Sequence, residues 1–124
     1  MTFDEIAFFD RLPRFLPLYG ALKERLERAY PEMTIRVAKT QISFQNRHVF
    51  ALVSLPGRRL PSGLKEYLLL SFGLSCQKAS PRIAYAVEPY PNRWTHHVPL
   101  TSEDELDDEL MGWIDEAYRF SLSK

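Results

Sequence analysis

Apolar positions change their spacing twice along this chain, and the two changes divide it into helical ends and an extended middle. At the start, Thr2 stands three residues before Glu5 in "TFDE", the reciprocal pair that caps a helix by satisfying its first free amides. A short helix to about Asp10 is expected behind it, with Phe3, Ile6 and Ala7 on its apolar face. Pro13 and Pro17 stop and restart the chain; Pro17 suits a first helical turn, where its missing N–H has no partner anyway. Leu18, Leu22, Leu26 and Ala29/Tyr30 then recur at helical spacing, with Lys23, Glu24, Glu27 and Arg28 outside, until Pro31 ends the run.

From Thr34 the pattern is extended. "TIRVAKTQISF" and "HVFALVSL", separated by "QNR", predict a β-hairpin. Ile35 and Val37 share one parity and Ile42 and Phe44 the other, so the phase slips near Lys39–Thr40. That slip predicts a bulge there, or a strand buried on both faces. "PGRRLPSG" reads as a loop, and "EYLLLSFGL" is apolar enough for a central strand. "RIAYAVEP" and "RWTHHVPL", joined by "YPN", predict a second hairpin. Ser102 with Glu105 predicts another capping box, opening a helix with the stripe Leu106, Leu110, Trp113/Ile114 and Ala117/Tyr118. The acids from Glu103 to Glu109 favour the positive end of that helix, each by about 0.3–1 kcal/mol. The expected fold is α+β: two N-terminal helices, an antiparallel sheet of about five strands, and a C-terminal helix packed on the sheet, all in one domain over residues 1–124.

Composition narrows the class. With 45% hydrophobic and 13% aromatic residues in 124, the chain has enough apolar surface for a core and does not read as disordered. No apolar run approaches the ~20 residues that cross a bilayer, and "MTFDEIAFFD" carries acids before its first base, unlike a leader sequence. The single cysteine, Cys76, excludes an internal disulfide and fits a reducing compartment. A cytoplasmic protein with no membrane partner is the expectation. The net charge of zero hides an asymmetry, because residues 1–100 carry +6 and residues 101–124 carry −6. Complementarity between those halves is expected over separate partners for each.

Candidate chemistry is sparse. In a strand, adjacent side chains face opposite ways. Trp94, His96, Val98 and Leu100 therefore share one face, and Arg93, Thr95 and His97 the other. The paired imidazoles cannot easily grip one metal, and no H-x-x-x-H or C-x-x-C spacing supplements them, so neither metal nor cofactor is expected. His96 reads as a core histidine with one satisfied ring nitrogen, and His97 as the functional candidate of the two. Lys39, Gln41 and Ser43 share a face and offer donors to an anionic or polar ligand, although alternation also yields an ordinary solvated face. Cys76 precedes Lys78 without any nucleophile signature around it, and no glycine-rich phosphate loop occurs among the five glycines.

Taken together, "FLPLYGALKERL", "KTQISF", Arg82–Ile83, "RWTHHV", Leu106–Asp107, and Trp113 with Ala117–Tyr118 resemble a bacterial family catalogued only as a domain of unknown function, DUF family 5655. The likeness runs nearly end to end and implies no reaction; Lys39, Gln41, Ser43, Arg93, Thr95 and His97 lie inside its defining words. The functional expectation is a ligand-binding or protein-interaction module whose polar site is built from those six strand residues. The alternatives are an enzyme with His97 as general acid/base, and a nucleic-acid-binding module using the 9 Lys/Arg against 2 Asp/Glu of residues 34–99. An unpaired sheet edge would also suit a homodimer.

Overall fold

The computed structural model describes residues 1–124. Its centre is a six-stranded sheet in the order β1-β2-β3-β4-β6-β5, with every neighbouring pair antiparallel. The strands are β1 (Thr34–Val37), β2 (Ile42–Gln45), β3 (Val49–Ser54), β4 (Leu68–Leu74), β5 (Tyr85–Tyr90) and β6 (Arg93–Leu100). Helices α1 (Phe3–Phe8), α2 (Leu16–Ala29) and α3 (Asp108–Leu122) supply the rest of the core on one face. The α+β class stands, with one strand more than expected.

The extra strand comes from the phase slip in "TIRVAKTQISF". No bulge lies at Lys39–Thr40; the chain turns there, Ala38 N–H donating to the Gln41 carbonyl at 2.8 Å, and β1 folds back on β2. A tight turn and a bulge both reverse parity, so the sequence pattern alone does not separate them. A register irregularity occurs instead between β2 and β3, where Phe44 pairs with Ala51 but Gln45 pairs with Val49. Phe50, the residue skipped, swings into the core against Tyr30 and Tyr118, at ring-centroid distances of 5.3 and 5.0 Å.

β4 is central, as its strongly apolar sequence implies. Leu68, Leu70, Phe72 and Leu74 face the helices, while Leu69 on the opposite face joins Leu60 and Tyr67 of the preceding loop in a small second cluster. The stripe of α2 buries Leu18, Leu22 and Leu26, and α3 buries Leu110, Trp113, Ile114 and Ala117. Pro91–Asn92 makes the β5–β6 turn, with Asn92 at φ 62°, a left-handed conformation that asparagine tolerates better than most residues.

Two helical expectations change. The capping box at Thr2 and Glu5 forms, with Thr2 N–H donating to Glu5 Oε1 at 2.8 Å and Glu5 N–H to Thr2 Oγ1 at 3.2 Å. Yet Phe3 and Ile6 are exposed, because Glu5 is the residue turned inward. Its carboxylate accepts from Tyr19 Oη and, at 2.9 Å, from Lys23 Nζ, which docks α1 on α2. Burial would raise the Glu5 carboxyl, but the hydrogen bonds from Thr2, Tyr19 and Lys23 outweigh it and hold the pKa at about 2. At the other end, Ser102 and Glu105 bracket only a 3-10 turn, Glu103–Glu105. α3 starts three residues later, with Asp107 as N-cap accepting from Leu110 N–H at 3.0 Å.

Candidate functional site

The face of the sheet away from the helices is where the sequence-derived candidates meet or fail to meet. Strand register lays one continuous row across all six strands: Arg36, Ser43, Leu52, Ser71, His97 and Tyr85, each opposite the next. Neighbouring strands lie about 4.8 Å apart, so Ser43 and His97 are separated by roughly 14 Å with Leu52 and Ser71 between them. The six candidates therefore do not converge on one cavity.

Lys39 sits on the β1–β2 turn and lines a cavity of about 410 Å³ with Phe8, Arg11, Thr40, Ser54, Leu55 and Pro56. Arg11 reaches it from the segment after α1, its guanidinium donating to the Leu55 carbonyl. Lys39 and Thr40 are exposed and Ser54 half-buried, so their polar ends are open to a ligand. No carboxylate lines this cavity, and neither Arg11 nor Lys39 belongs to an ion pair. Gln41 and Ser43 turn to each other instead, with Gln41 Nε2 donating to Ser43 Oγ at 3.1 Å. Arg93 stands exposed at the far end of β6, opposite Tyr90.

The two histidines do face opposite ways. His96 is fully buried and stacks on Phe72, ring centroids 5.4 Å apart. Its Nε2 accepts from Lys78 N–H at 2.9 Å, while Nδ1 is buried without a partner. Burial lowers its proton affinity; the carbonyls of Phe72 and Trp94 oppose that, and Lys78 adds to it. The neutral ring with its proton on Nδ1 fits this arrangement, since a protonated Nε2 cannot accept from the Lys78 amide.

His97, half-buried on the open face, has its Nδ1 2.7 Å from Ser71 Oγ and its ring stacked on Tyr85 at 4.3 Å. The Arg58 guanidinium covers that tyrosine at 4.7 Å. Burial first, then the charges of Arg58 and His96, pull the His97 pKa below its ordinary value. Thr95 lies opposite Gly73, and both line a groove of about 160 Å³ that Ser71 also borders.

Arg11, Ser54 and Ser71 are site residues that sequence reasoning passed over. Ser71 carried a signal, as a lone hydroxyl inside the apolar run "YLLLSFGL". Ser54 follows Leu52 at strand parity, but Arg11 lies between α1 and a 3-10 turn where no period applies.

The charge asymmetry resolves within the molecule at two places. Lys78 Nζ meets Glu116 at 2.6 Å, and Arg82 Nη1 meets Asp107 at 2.8 Å and Glu109 at 3.1 Å. Arg82 also donates to the Glu105 carbonyl at 2.6 Å and lies 5.8 Å from the Trp113 ring centre, clamping the loop before β5 onto the start of α3. Hydrogen bonds to Asp107 and Glu109 outweigh burial and raise the Arg82 pKa; the Arg82 bond, with the Leu110 amide, lowers that of Asp107. Cys76 is exposed and free, and the Lys78 ammonium beside it in sequence is held by Glu116. No group of three or more His, Cys, Asp or Glu side chains is placed to hold a metal ion, and no helix is long and apolar enough to cross a membrane.

No curated protein and no solved structure matches the chain. One family profile does, over residues 7–121, which takes in both the Lys39 cavity and the Ser71–His97 pair. The chain belongs to DUF5655, a family described as a domain of unknown function.

Proposed function

We propose that this protein binds a small anionic ligand in the cavity beside the β1–β2 turn. The observation that carries the proposal is the chemistry of the lining. Arg11, Lys39, Thr40 and Ser54 bring donors to a space of about 410 Å³ that contains no acid. That volume falls within the roughly 300–1,000 Å³ usual for small-molecule sites. Arg11 and Lys39 supply charge, the two hydroxyls fix orientation, and Phe8, Leu55 and Pro56 offer an apolar wall to the rest of the ligand. Most of this lining lies where β3 leaves the sheet and β1 turns into β2, so the sheet holds the donors in place.

A long polyanion such as nucleic acid is a poorer fit, since Lys78 and Arg82 of the basic stretch are occupied by the acids of α3. Thermal-shift titration with inorganic phosphate, phosphate monoesters and di- and tricarboxylates tests the reading. A ligand at 100 times its Kd adds about 2.7 kcal/mol to stability, which is several degrees in Tm for a domain of this size. Lys39→Ala and Arg11→Gln should each weaken binding roughly 10- to 100-fold, the usual scale for a lost charge-assisted hydrogen bond. Stabilisation that ignores both substitutions would remove this cavity from the account.

A further inference from the structure

On the open sheet face, one strand over from the nearest cavity-lining strand, Ser71 stands between a base and an empty space. On one side its Oγ is 2.7 Å from His97 Nδ1. On the other it borders the groove of about 160 Å³, whose lining includes Val49, Leu52, Thr95 and Lys124. Ser71 itself is only 3% exposed, so a reacting group would have to reach it through this groove.

Gly73 on the groove wall is not required by the backbone. A Cβ built there would meet only the Trp94 carbonyl oxygen, at 3.9 Å, and its φ is not left-handed. Glycine inside a strand is destabilising relative to alanine and often marks the close approach of another molecule. The missing side chain leaves open the space beside Ser71.

We propose that Ser71 is a nucleophile for small esters, with His97 as its base and the groove holding a short acyl group. In the first half-reaction the Ser71 Oγ–acyl carbon bond forms as the hydroxyl proton passes to His97 Nδ1. Collapse of the tetrahedral adduct breaks the ester C–O bond, and the departing alcohol takes the proton from His97. In the second half-reaction water attacks the acyl carbon and gives a proton to His97. Collapse then breaks the bond to Ser71 Oγ, which recovers that proton, and the carboxylic acid leaves. The Thr95 hydroxyl, on the same face and opposite Gly73, is the donor for the developing oxyanion.

Tyr85, stacked at 4.3 Å, orients the His97 ring in place of the carboxylate found in triads. With p-nitrophenyl acetate the nitrophenolate leaves more readily than the Ser71 alkoxide, so acylation is expected to outrun deacylation and the acyl-enzyme to accumulate. The lowered proton affinity of His97 keeps its base form present through neutrality, and acylation should decline only below pH 6.5.

The test is intact-protein and peptide mass spectrometry after exposure to p-nitrophenyl acetate and, separately, to an alkyl fluorophosphonate, which Ser71 would capture with loss of fluoride. One adduct per chain on the peptide containing Ser71 is expected, absent in Ser71→Ala and at least 10-fold slower in His97→Gln. Gly73→Val should keep the fold, read by circular dichroism and Tm, and abolish labelling by filling the groove. No adduct on the wild-type protein, an adduct that persists in Ser71→Ala, or unchanged labelling in a folded Gly73→Val protein would overturn the proposal.

Discussion

The two faces of the sheet are made by the same strands, yet they are built on different principles. The helix-covered face is apolar along nearly every strand: Ile42, Phe44, Ala51, Val53, Leu68, Leu70, Phe72, Val98 and Leu100 all belong to one core cluster. The open face mixes polar and apolar residues across the strands, as in Ser43, Leu52, Ser71 and His97. His96 and His97 make the contrast in adjacent residues. The first is fully buried and stacked on Phe72 with a ring nitrogen unpaired, and the second is linked to a serine beside a groove. One face carries the core, and the other carries a hydrogen-bonded serine–histidine pair beside a groove.

Substitutions on the helix side should therefore dominate stability. Phe72→Ala is expected to cost about 3–5 kcal/mol in urea unfolding, the range for an aromatic removed from a close-packed core. The analogous truncation on the other face, Ser43→Ala, should cost about 1 kcal/mol or less, since it loses one side-chain hydrogen bond. Comparable costs for the two would break the contrast.

Glu5→Ala comes next, at about 3 kcal/mol, because it strands the Lys23 ammonium against the α1–α2 junction. Its pH dependence has a definite sign. The folded carboxyl lies at about 2 against an ordinary 4.5, so its stabilisation is complete above pH 4.5 and is lost as the pH falls toward 2. Acid titration of Glu5→Gln should be flatter than that of the wild type across this window.

The histidines add a smaller, separate slope. Both folded pKa values lie below 6.5, so the unfolded chain binds protons first and stability declines as the pH drops from 6.5 through the folded values. His96→Leu should remove more of that slope than His97→Gln, because protonating His96 also breaks the Lys78 amide bond. The smallest effect is expected for Arg28→Ala. Its pairing with Glu24 is exposed on α2 and contributes about 0.3–0.5 kcal/mol.

The apolar face was legible in the sequence because each of its elements has a period. The stripes of α2 and α3 and the opposed orientation of His96 and His97 follow from spacing, and the central place of β4 from its apolar composition. Periods fail where the chain reverses. The Lys39–Thr40 turn and a bulge give the same parity change, and a capping box at Ser102 starts a 3-10 turn as readily as an α-helix. The cavity is harder still to read, since Arg11, Ser54 and Pro56 come from three segments with no common spacing. Lys39 was legible as a donor on a polar run; its partners were not, because they are neighbours only after β3 pairs with β2.

The most direct test of the account is a ¹H–¹⁵N NMR titration of the wild-type protein and Lys39→Ala with inorganic phosphate, a phosphate monoester and a tricarboxylate. At least one anion should shift the amides of Phe8, Arg11, Lys39, Thr40, Ser54 and Leu55 saturably, and Lys39→Ala should weaken that binding at least tenfold. Saturable shifts elsewhere on the molecule, or none with any of the three anions, would contradict it.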